Sequence, residues 1–395
     1  MLARKPLSVL TTALVLSVSV LAACSGERDS LSELEGERTP SVERSVGFDG
    51  NVVRLGVIAD ITGPGGTLDR ARLTGVETYW SDVNTQGGLG GRYVVELDIL
   101  DHRGDPQIAE QAAPDLLGKV VALTFVNETA TGAVHPFLVA EQALGVVPTS
   151  TLDWETDPRF LTHVPPIEAV VLALFENQPS PNWCVITDGS PIGIATRNAS
   201  MRAAEVAQAQ NVTLIEVGED LNSATSAVAC GKVLVEVAGD FQIEAIDSLP
   251  ANREIYVRAG SAAAMERTDL QFAYLDSGPA WNVDSSEGMR LFLAALLRHA
   301  PDVQPDTRVR DGYVSQIRLH QLLEQAVAEG DLRRPTLFAA SESQAGIDML
   351  GLAEQRLQPR NFNIWFTDNQ GEVSDQRGWQ LEGQLATENV DALTN

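Results

Sequence analysis

Short apolar runs separated by segments of helical period, repeated through most of the chain, are the feature that most restricts its fold. The first run, Val52-Val53-Arg54-Leu55-Gly56-Val57-Ile58-Ala59, is almost wholly apolar, as a strand covered on both faces of a parallel sheet must be. Asp60-Ile61-Thr62-Gly63-Pro64-Gly65-Gly66 breaks it. A helix follows in which Leu73, Val76, Tyr79, Trp80 and Val83 recur at helical spacing, until Gly87-Gly88 and Gly90-Gly91 end it. Residues 93–100 alternate Val95, Leu97 and Ile99 against Val94, Glu96 and Asp98, the period of a half-covered strand at a sheet edge. Asp105-Pro106 supplies a cap and a first-turn proline for the next helix, in which Pro114 predicts a kink or an early stop. Strands over 120–126 and 144–147 flank a helix carrying Val134, Phe137 and Leu138.

After Pro165-Pro166 the same grammar restarts, with a helix over 167–176, a strand over 183–187, a helix over 194–210 and strands over 212–217 and 233–237. A helix around 241–249 and a strand over 254–257 complete it. Strands spaced by helices of this length form parallel sheets, so the expected fold class is α/β, with two doubly wound parallel-sheet lobes. Helices over 289–299 and 314–328 and a strand over 361–367 come later. Chain that returns after a second lobe completes the first, which gives more than one crossover and hence a hinge. The expected division is an N-terminal lobe of 51–166 plus about 285–340 and a C-terminal lobe of 167–284 plus about 341–395.

The N-terminus carries a separate signal. Arg4 and Lys5 form a short positive region, an apolar stretch runs from Leu7 to Val20, and Leu21-Ala22-Ala23-Cys24 follows. That order resembles a bacterial lipoprotein signal peptide, which implies cleavage before Cys24 and a diacylglyceryl group on its thiol, anchoring the protein to the outer face of the cell membrane. The alternatives are a plain secretory signal with an incidental cysteine, or a short transmembrane anchor; the stretch is short for a spanning helix of about 20 residues. Residues 25–50, rich in Ser, Glu, Arg and Gly, have no apolar period and read as a flexible tether.

With 54 acidic against 28 basic residues the net charge is −26, and so negative a surface repels phosphate backbones, which sets nucleic acid aside as a partner. Cys184 opens the run Cys184-Val185-Ile186-Thr187 and Cys230 just precedes Val233-Leu234-Val235, so both fall at the same end of neighbouring strands. In an oxidising compartment they would pair; two buried free thiols are the alternative.

Gly56-Val57-Ile58 running into Thr62-Gly63-Pro64, then Thr74-Gly75-Val76-Glu77, Asn84 with Gly87-Gly88-Leu89-Gly90-Gly91, Asp101 and Asp105-Pro106 resemble the leucine/isoleucine/valine-binding type of periplasmic (type I) solute-binding proteins of ABC transporters. Val146-Val147-Pro148-Thr149-Ser150-Thr151 is similar to that family's strand-to-cleft turn, and Pro279-Ala280-Trp281-Asn282 to its crossing segment. The resemblance covers roughly residues 52–330 and is strongest to about 160. It implies a two-lobed receptor that closes on a small polar molecule, an amino acid, amide or related metabolite, and delivers it to an ABC-type permease. No catalysis and no cofactor are implied.

Carried over by position, the first-lobe ligand residues are Leu68, Asn127, Glu128, Thr129, Thr149, Ser150 and Thr151, and those of the second lobe lie in the loops 188–193, 238–241 and 258–261, with Ile192, Asp240 and Arg258. Where amino-acid binders place an acid for the ligand's ammonium, residues 258–261 contain no carboxylate, and their cleft tyrosines are replaced here by Leu68, Ile192 and Asp240. Glu128 or Asp240 would anchor a cation, and Arg258 an acidic ligand, unless these charges are simply solvated. Thr149 and Thr151 serve either the ligand or the turn.

Enzyme motifs fail. The loop at 62–67 lacks the Gly-Lys-Ser/Thr ending of a phosphate-binding loop, and in Gly189-Ser190-Pro191-Ile192-Gly193 the serine is one place early for a nucleophile elbow. The five histidines show no metal-ligand spacing. A sensing subunit of a signalling system with the same fold is the alternative to a transport receptor, followed by a surface lipoprotein hydrolase.

Overall fold

The computed structural model describes residues 41–148, 151–155, 157–178, 180–206, 211–217, 230–237, 245–258, 270–276, 286–343, 348–352, 361–367 and 373–380. The first sheet contains β1 (Val52–Ala59), β2 (Val94–Asp101), β3 (Leu123–Phe125), β4 (Gly145–Val146) and β5 (Phe160–Leu161), all parallel, in the order β2-β1-β3-β4-β5. β2 is the edge strand its alternation predicts: Val95 is buried while Val94 is 46% exposed. β3 and β4 are shorter than their apolar runs, although the flanks stay tied to the sheet: Val121 N–H donates to the Arg54 carbonyl at 2.8 Å and Val147 N–H to the Leu161 carbonyl at 3.2 Å. β5 went unread in the sequence, since two residues carry no period.

Helices cover both faces of this sheet. α2 (Pro106–Leu117) and α3 (Thr131–Glu141) lie on one side, in a cluster with Phe125, Val134 and Leu138. Asp105 caps α2 by accepting the Gln107 N–H at 2.8 Å, and the helix stops at Leu117, one turn beyond Pro114. On the other side α1 (Gly66–Thr85) packs along α8 (Thr307–Glu329), with α7 (Glu287–His299) and α9 (Arg334–Ser343) beside them. The approach of α1 to α8 needs glycine on both: a Cβ on Gly75 would lie 2.0 Å from the Val309 carbonyl oxygen, and one on Gly312 would lie 1.9 Å from that of Arg72. α8 begins two turns before its apolar pattern does, because Asp306 accepts the Val309 N–H at 2.9 Å and caps it. Met349 and Leu352 carry this cluster past residue 340, where the sequence pattern placed the changeover between lobes.

The second sheet holds β6 (Asn182–Thr187), β7 (Asn211–Glu216), β8 (Lys232–Glu236), β9 (Glu254–Arg258), β10 (Gln271–Asp276), β11 (Asn361–Thr367) and β12 (Val373–Gln380), in the order β12-β11-β10-β9-β8-β6-β7. Its five strands from β7 to β10 are parallel, and β11 and β12 add an antiparallel edge. The sequence pattern pointed to parallel strands alone. β11 is the strand read over 361–367; antiparallel neighbours need no covering helix between them, which is why its partner β12 escapes a search for strand–helix alternation. α5 (Ile167–Asn177) and α6 (Pro191–Val206) cover one face around Trp183 and Tyr256; the opposite face packs around Cys184, Cys230 and Ile246. Cys184 and Cys230 are disulfide-bonded with their Cα atoms 5.7 Å apart. The chain passes between the sheets after β5, after β10 and before β11. Among the described residues, no helix is long and apolar enough to cross a membrane.

Candidate functional site

In a parallel sheet the carboxyl ends of all strands open on the same edge, and the loops there are free to meet a ligand. At the end of β1 the Asp60 carboxylate accepts the Gly63 and Gly65 N–H groups at 2.7 and 2.6 Å, which folds the chain back into α1. Asp101, at the end of β2, accepts Ile61 N–H at 2.9 Å and the Thr62 hydroxyl at 2.6 Å. Leu68 sits half-buried in the first turn of α1. One residue on, Asp69 is buried and its Oδ2 accepts both the Asp60 N–H, at 2.7 Å, and the Asn127 side-chain amide.

Asn127 follows β3. Its Oδ1 accepts the Thr129 N–H at 2.9 Å, so the loop Asn127-Glu128-Thr129 is locked to α1 through Asp69. Burial drives the Asp69 carboxyl up to about 7, against the opposing pull of Arg72 and of its two N–H donors. His102 completes the group, with Nε2 3.4 Å from the Asn127 amide; burial holds it below its ordinary value. Neither Asp69 nor His102 was singled out in the sequence. An acid in a first helical turn reads as an ordinary response to the helix dipole, and nothing local shows that it is buried.

On the second sheet the decisive residue is one the sequence reading passed over. Glu236 ends β8 and is buried; Arg258 ends the neighbouring β9 and turns its Nε onto both Glu236 oxygens at 2.8 and 2.9 Å. The carboxylate nearest Arg258 thus comes from the adjacent strand. A charge inside Val233-Leu234-Val235-Glu236-Val237 was the available signal, since an apolar run seldom keeps an unpaired carboxylate. Burial raises the Glu236 carboxyl, and Arg258 moderates the rise. Burial also opposes the charge on Arg258, but Glu236 and Glu128 more than restore it.

Glu128 belongs to the other lobe. Glu128 is 5% exposed and its carboxylate lies 3.4 Å from the Arg258 guanidinium, so the strand ends of the two sheets meet across an ion pair.

The remaining expected residues divide. Thr151 is buried and its hydroxyl accepts the Trp154 N–H at 3.3 Å, capping the short helix α4 (Leu152–Glu155). Ile192 is 1% exposed and packs with Trp183 and Val185 in the second-lobe core. In the same loop Asp188 accepts the Ser190 hydroxyl at 2.5 Å, and Ser190 Oγ accepts the Gly193 N–H at 3.0 Å, so that serine is consumed in starting α6. Thr149, Ser150, Asp240 and Cys24 lie outside the described residues. His163, after β5, is fully buried; burial and the nearby Arg318, Arg310 and Arg72 push its pKa down to about 3, so the ring is neutral. Among the described residues no group of His, Cys, Asp and Glu is arranged to hold a metal ion.

Residues 52–230 match the periplasmic binding protein family. That match covers a little under half of the chain. The Leu/Ile/Val-binding protein BraC3 of Rhizobium johnstonii is 23% identical over 206 residues, covering 49% of this chain and 55% of that protein, so the match spans about half the relative's length. The fold extends further than the sequence match. A fatty acid ABC transporter substrate-binding protein from Thermomonospora curvata superimposes with a TM-score of 0.73 at 19% identity, over 88% of this chain and 96% of that one. The branched-chain amino acid transporter substrate binding protein LivJ of Streptococcus pneumoniae, in complex with isoleucine, does so with a TM-score of 0.66 at 15% identity, over 84% and 100%. The two sheets are therefore the two lobes of a type I periplasmic binding protein fold.

Proposed function

We propose that the protein is an extracytoplasmic solute receptor, anchored to the outer face of the cell membrane by lipid on Cys24, that captures a small polar molecule between its lobes and delivers it to an ABC-type permease, with no catalysis of its own. The observation that carries this reading is the meeting of Glu128 and Arg258 across the cleft, with Glu236 behind. A ligand entering there exchanges an interlobe ion pair for contacts of its own, and the three chain passages between the lobes act as the hinge. The ligand-contacting set is Leu68 and Asn127 to Thr129 from the first lobe, Thr149 to Thr151 from the turn, and Asp240 and Arg258 from the second, with Ile192 supporting its loop from beneath. Loss of the acid at 258–261 and its replacement by Glu236 set the ligand class apart from that of the leucine/isoleucine/valine binders.

The test is a thermal-shift screen of the full chain, purified in detergent, against amino acids, amides, small acids and sugars. A ligand that binds only the folded protein at 100 times its dissociation constant adds about 2.7 kcal/mol of stability, a shift of several degrees. Thr149→Ala or Thr151→Ala abolishes the shift if the turn holds the ligand. Unchanged binding in both variants would refute this placement of the site, and the absence of any hit together with turnover of an ester, amide or glycoside would refute the receptor reading.

A further inference from the structure

The first lobe has a second depression, at the end of its sheet where strands begin, opposite the cleft. α1 and α8 run side by side in the same direction: Gly75, midway along α1, meets Gly312 in the second turn of α8, and Gly90, past the end of α1, meets Val327 near the end of α8. Gly88 lies against Tyr93 and Val94, where β2 starts. Between the later halves of these helices, α7 and the turn at Asp348 to Leu350 is a cavity of about 450 Å³. That is within the range of small-ligand sites.

Its walls are Leu291, Ile317, Leu350 and the tyrosines 79 and 313; its acids are Asp82, Glu324 and Asp348. Tyr79 shares a 2.7 Å hydrogen bond with His320 Nδ1, and His320 Nε2 lies 3.3 Å from Glu324, an arrangement a neutral imidazole satisfies. Both Glu324 oxygens also accept the Gly90 N–H, and the His320 bond leads in holding this carboxyl below its usual range, so it is ionised. Asp82 is neutralised by Arg298, with Gln86 and His299 alongside. Among the described residues no lysine or arginine pairs with Glu324 or with Asp348.

Tyr313 is the group left over. It is 5% exposed, edge-on to Tyr79 and Phe292, and lines the cavity, yet among the described residues its hydroxyl has no hydrogen-bond partner. Burial, with Asp82 adding to it, pushes the phenol up to about 12, so it stays protonated, offering one donor and its lone pairs. The oxygen itself is not among the buried unsatisfied atoms, so it opens on the cavity, where a ligand atom can reach it.

We propose that this cavity is a second ligand site, separate from the interlobe cleft, that takes a small primary amine with an apolar body. The ammonium's three donors meet Glu324, Asp348 and the Tyr313 oxygen, and the hydrocarbon lies on Leu291, Ile317 and the tyrosine rings, whose faces also attract cations.

The probe is 2-phenylethylamine, titrated by calorimetry into the full chain in detergent, with 2-phenylethanol and 3-phenylpropionate as the uncharged and oppositely charged bodies. The amine binds with a dissociation constant on the order of 1 mM or below, the alcohol about tenfold more weakly and the acid not measurably. Tyr313→Phe, which keeps the ring and the packing, and Glu324→Gln each weaken the amine about fivefold, the worth of one hydrogen bond. Thr151→Ala, at the cleft, leaves it unchanged. Absence of amine binding, equal binding of the three probes, or full affinity in both Tyr313→Phe and Glu324→Gln overturns the proposal; loss of affinity in Thr151→Ala does so as well, by placing the amine in the cleft.

Discussion

The two halves of the cleft are held by different forces. On the first lobe, Asp60, Asp69 and Asp101 spend their carboxylates on backbone N–H groups and on the Asn127 amide, so loop shape is set by short hydrogen bonds within one sheet. On the second, shape comes from a covalent link beneath the sheet, Cys184–Cys230, and from a half-buried guanidinium, that of Arg258, gripped by the buried Glu236. Hydrogen-bonded carboxylates respond to pH, whereas a disulfide and a buried ion pair respond to reductant and to loss of a partner. The contrast implies a first-lobe rim tuned by protonation and a second-lobe rim that is close to rigid.

The largest expected effect lies on the rigid side. Replacing both cysteines with serine opens a loop of sequence separation 46 and, on the chain-entropy account, costs about 4 kcal/mol, read as a lower urea midpoint. Hydrogen exchange should locate the loss in β6 and β8 and spare β1 and β3; equal loss in both lobes would break the comparison. Next, Glu236→Gln takes from Arg258 its nearest carboxylate and costs about 3 kcal/mol, with little dependence on salt.

On the pH-tuned side, Asp69 has a folded pKa of about 7, raised above an unfolded value of about 3.9. The folded state therefore holds the proton more tightly through this window. Its stabilising contribution is complete below about pH 4 and is lost as pH rises through 7. Wild type should lose about 1 kcal/mol per pH unit relative to Asp69→Asn between pH 5 and 7, and parallel curves would show that Asp69 is not the titrating group. The smallest effect is that of Thr151→Ala, about 1 kcal/mol for a lost helix cap, measured without ligand.

Legibility in the sequence followed the range of the interactions. β1, β2, α1 and α5 were readable because burial on one or both faces leaves a periodic trace within ten to twenty residues. β11 was also read, over 361–367, but β5 and β12 were not, the first because it is two residues long, and the antiparallel pairing of β11 with β10 was not because that partner comes from distant chain. Among site residues, Asn127, Glu128 and Arg258 were named, and the structure joins Glu128 to Arg258, which their separation of 130 residues gave no means to foresee. Ile192 was read as a ligand residue from its place in a loop, but an apolar residue one place into a helix faces the sheet as readily as the cleft. Glu236 and Asp69 were overlooked because an acid looks the same in sequence whether water or protein surrounds it.

What the sequence determined alone was the local part: strand–helix alternation, hence parallel sheets with loops at their carboxyl ends, since pattern and period are properties of neighbouring residues. The tertiary structure alone decided which charges lose their water and which partner repays them. Glu236 grips Arg258, Arg258 reaches Glu128, and Asp69 holds Asn127 because the fold sets them within hydrogen-bond reach in a low-dielectric rim, a distance no sequence spacing encodes.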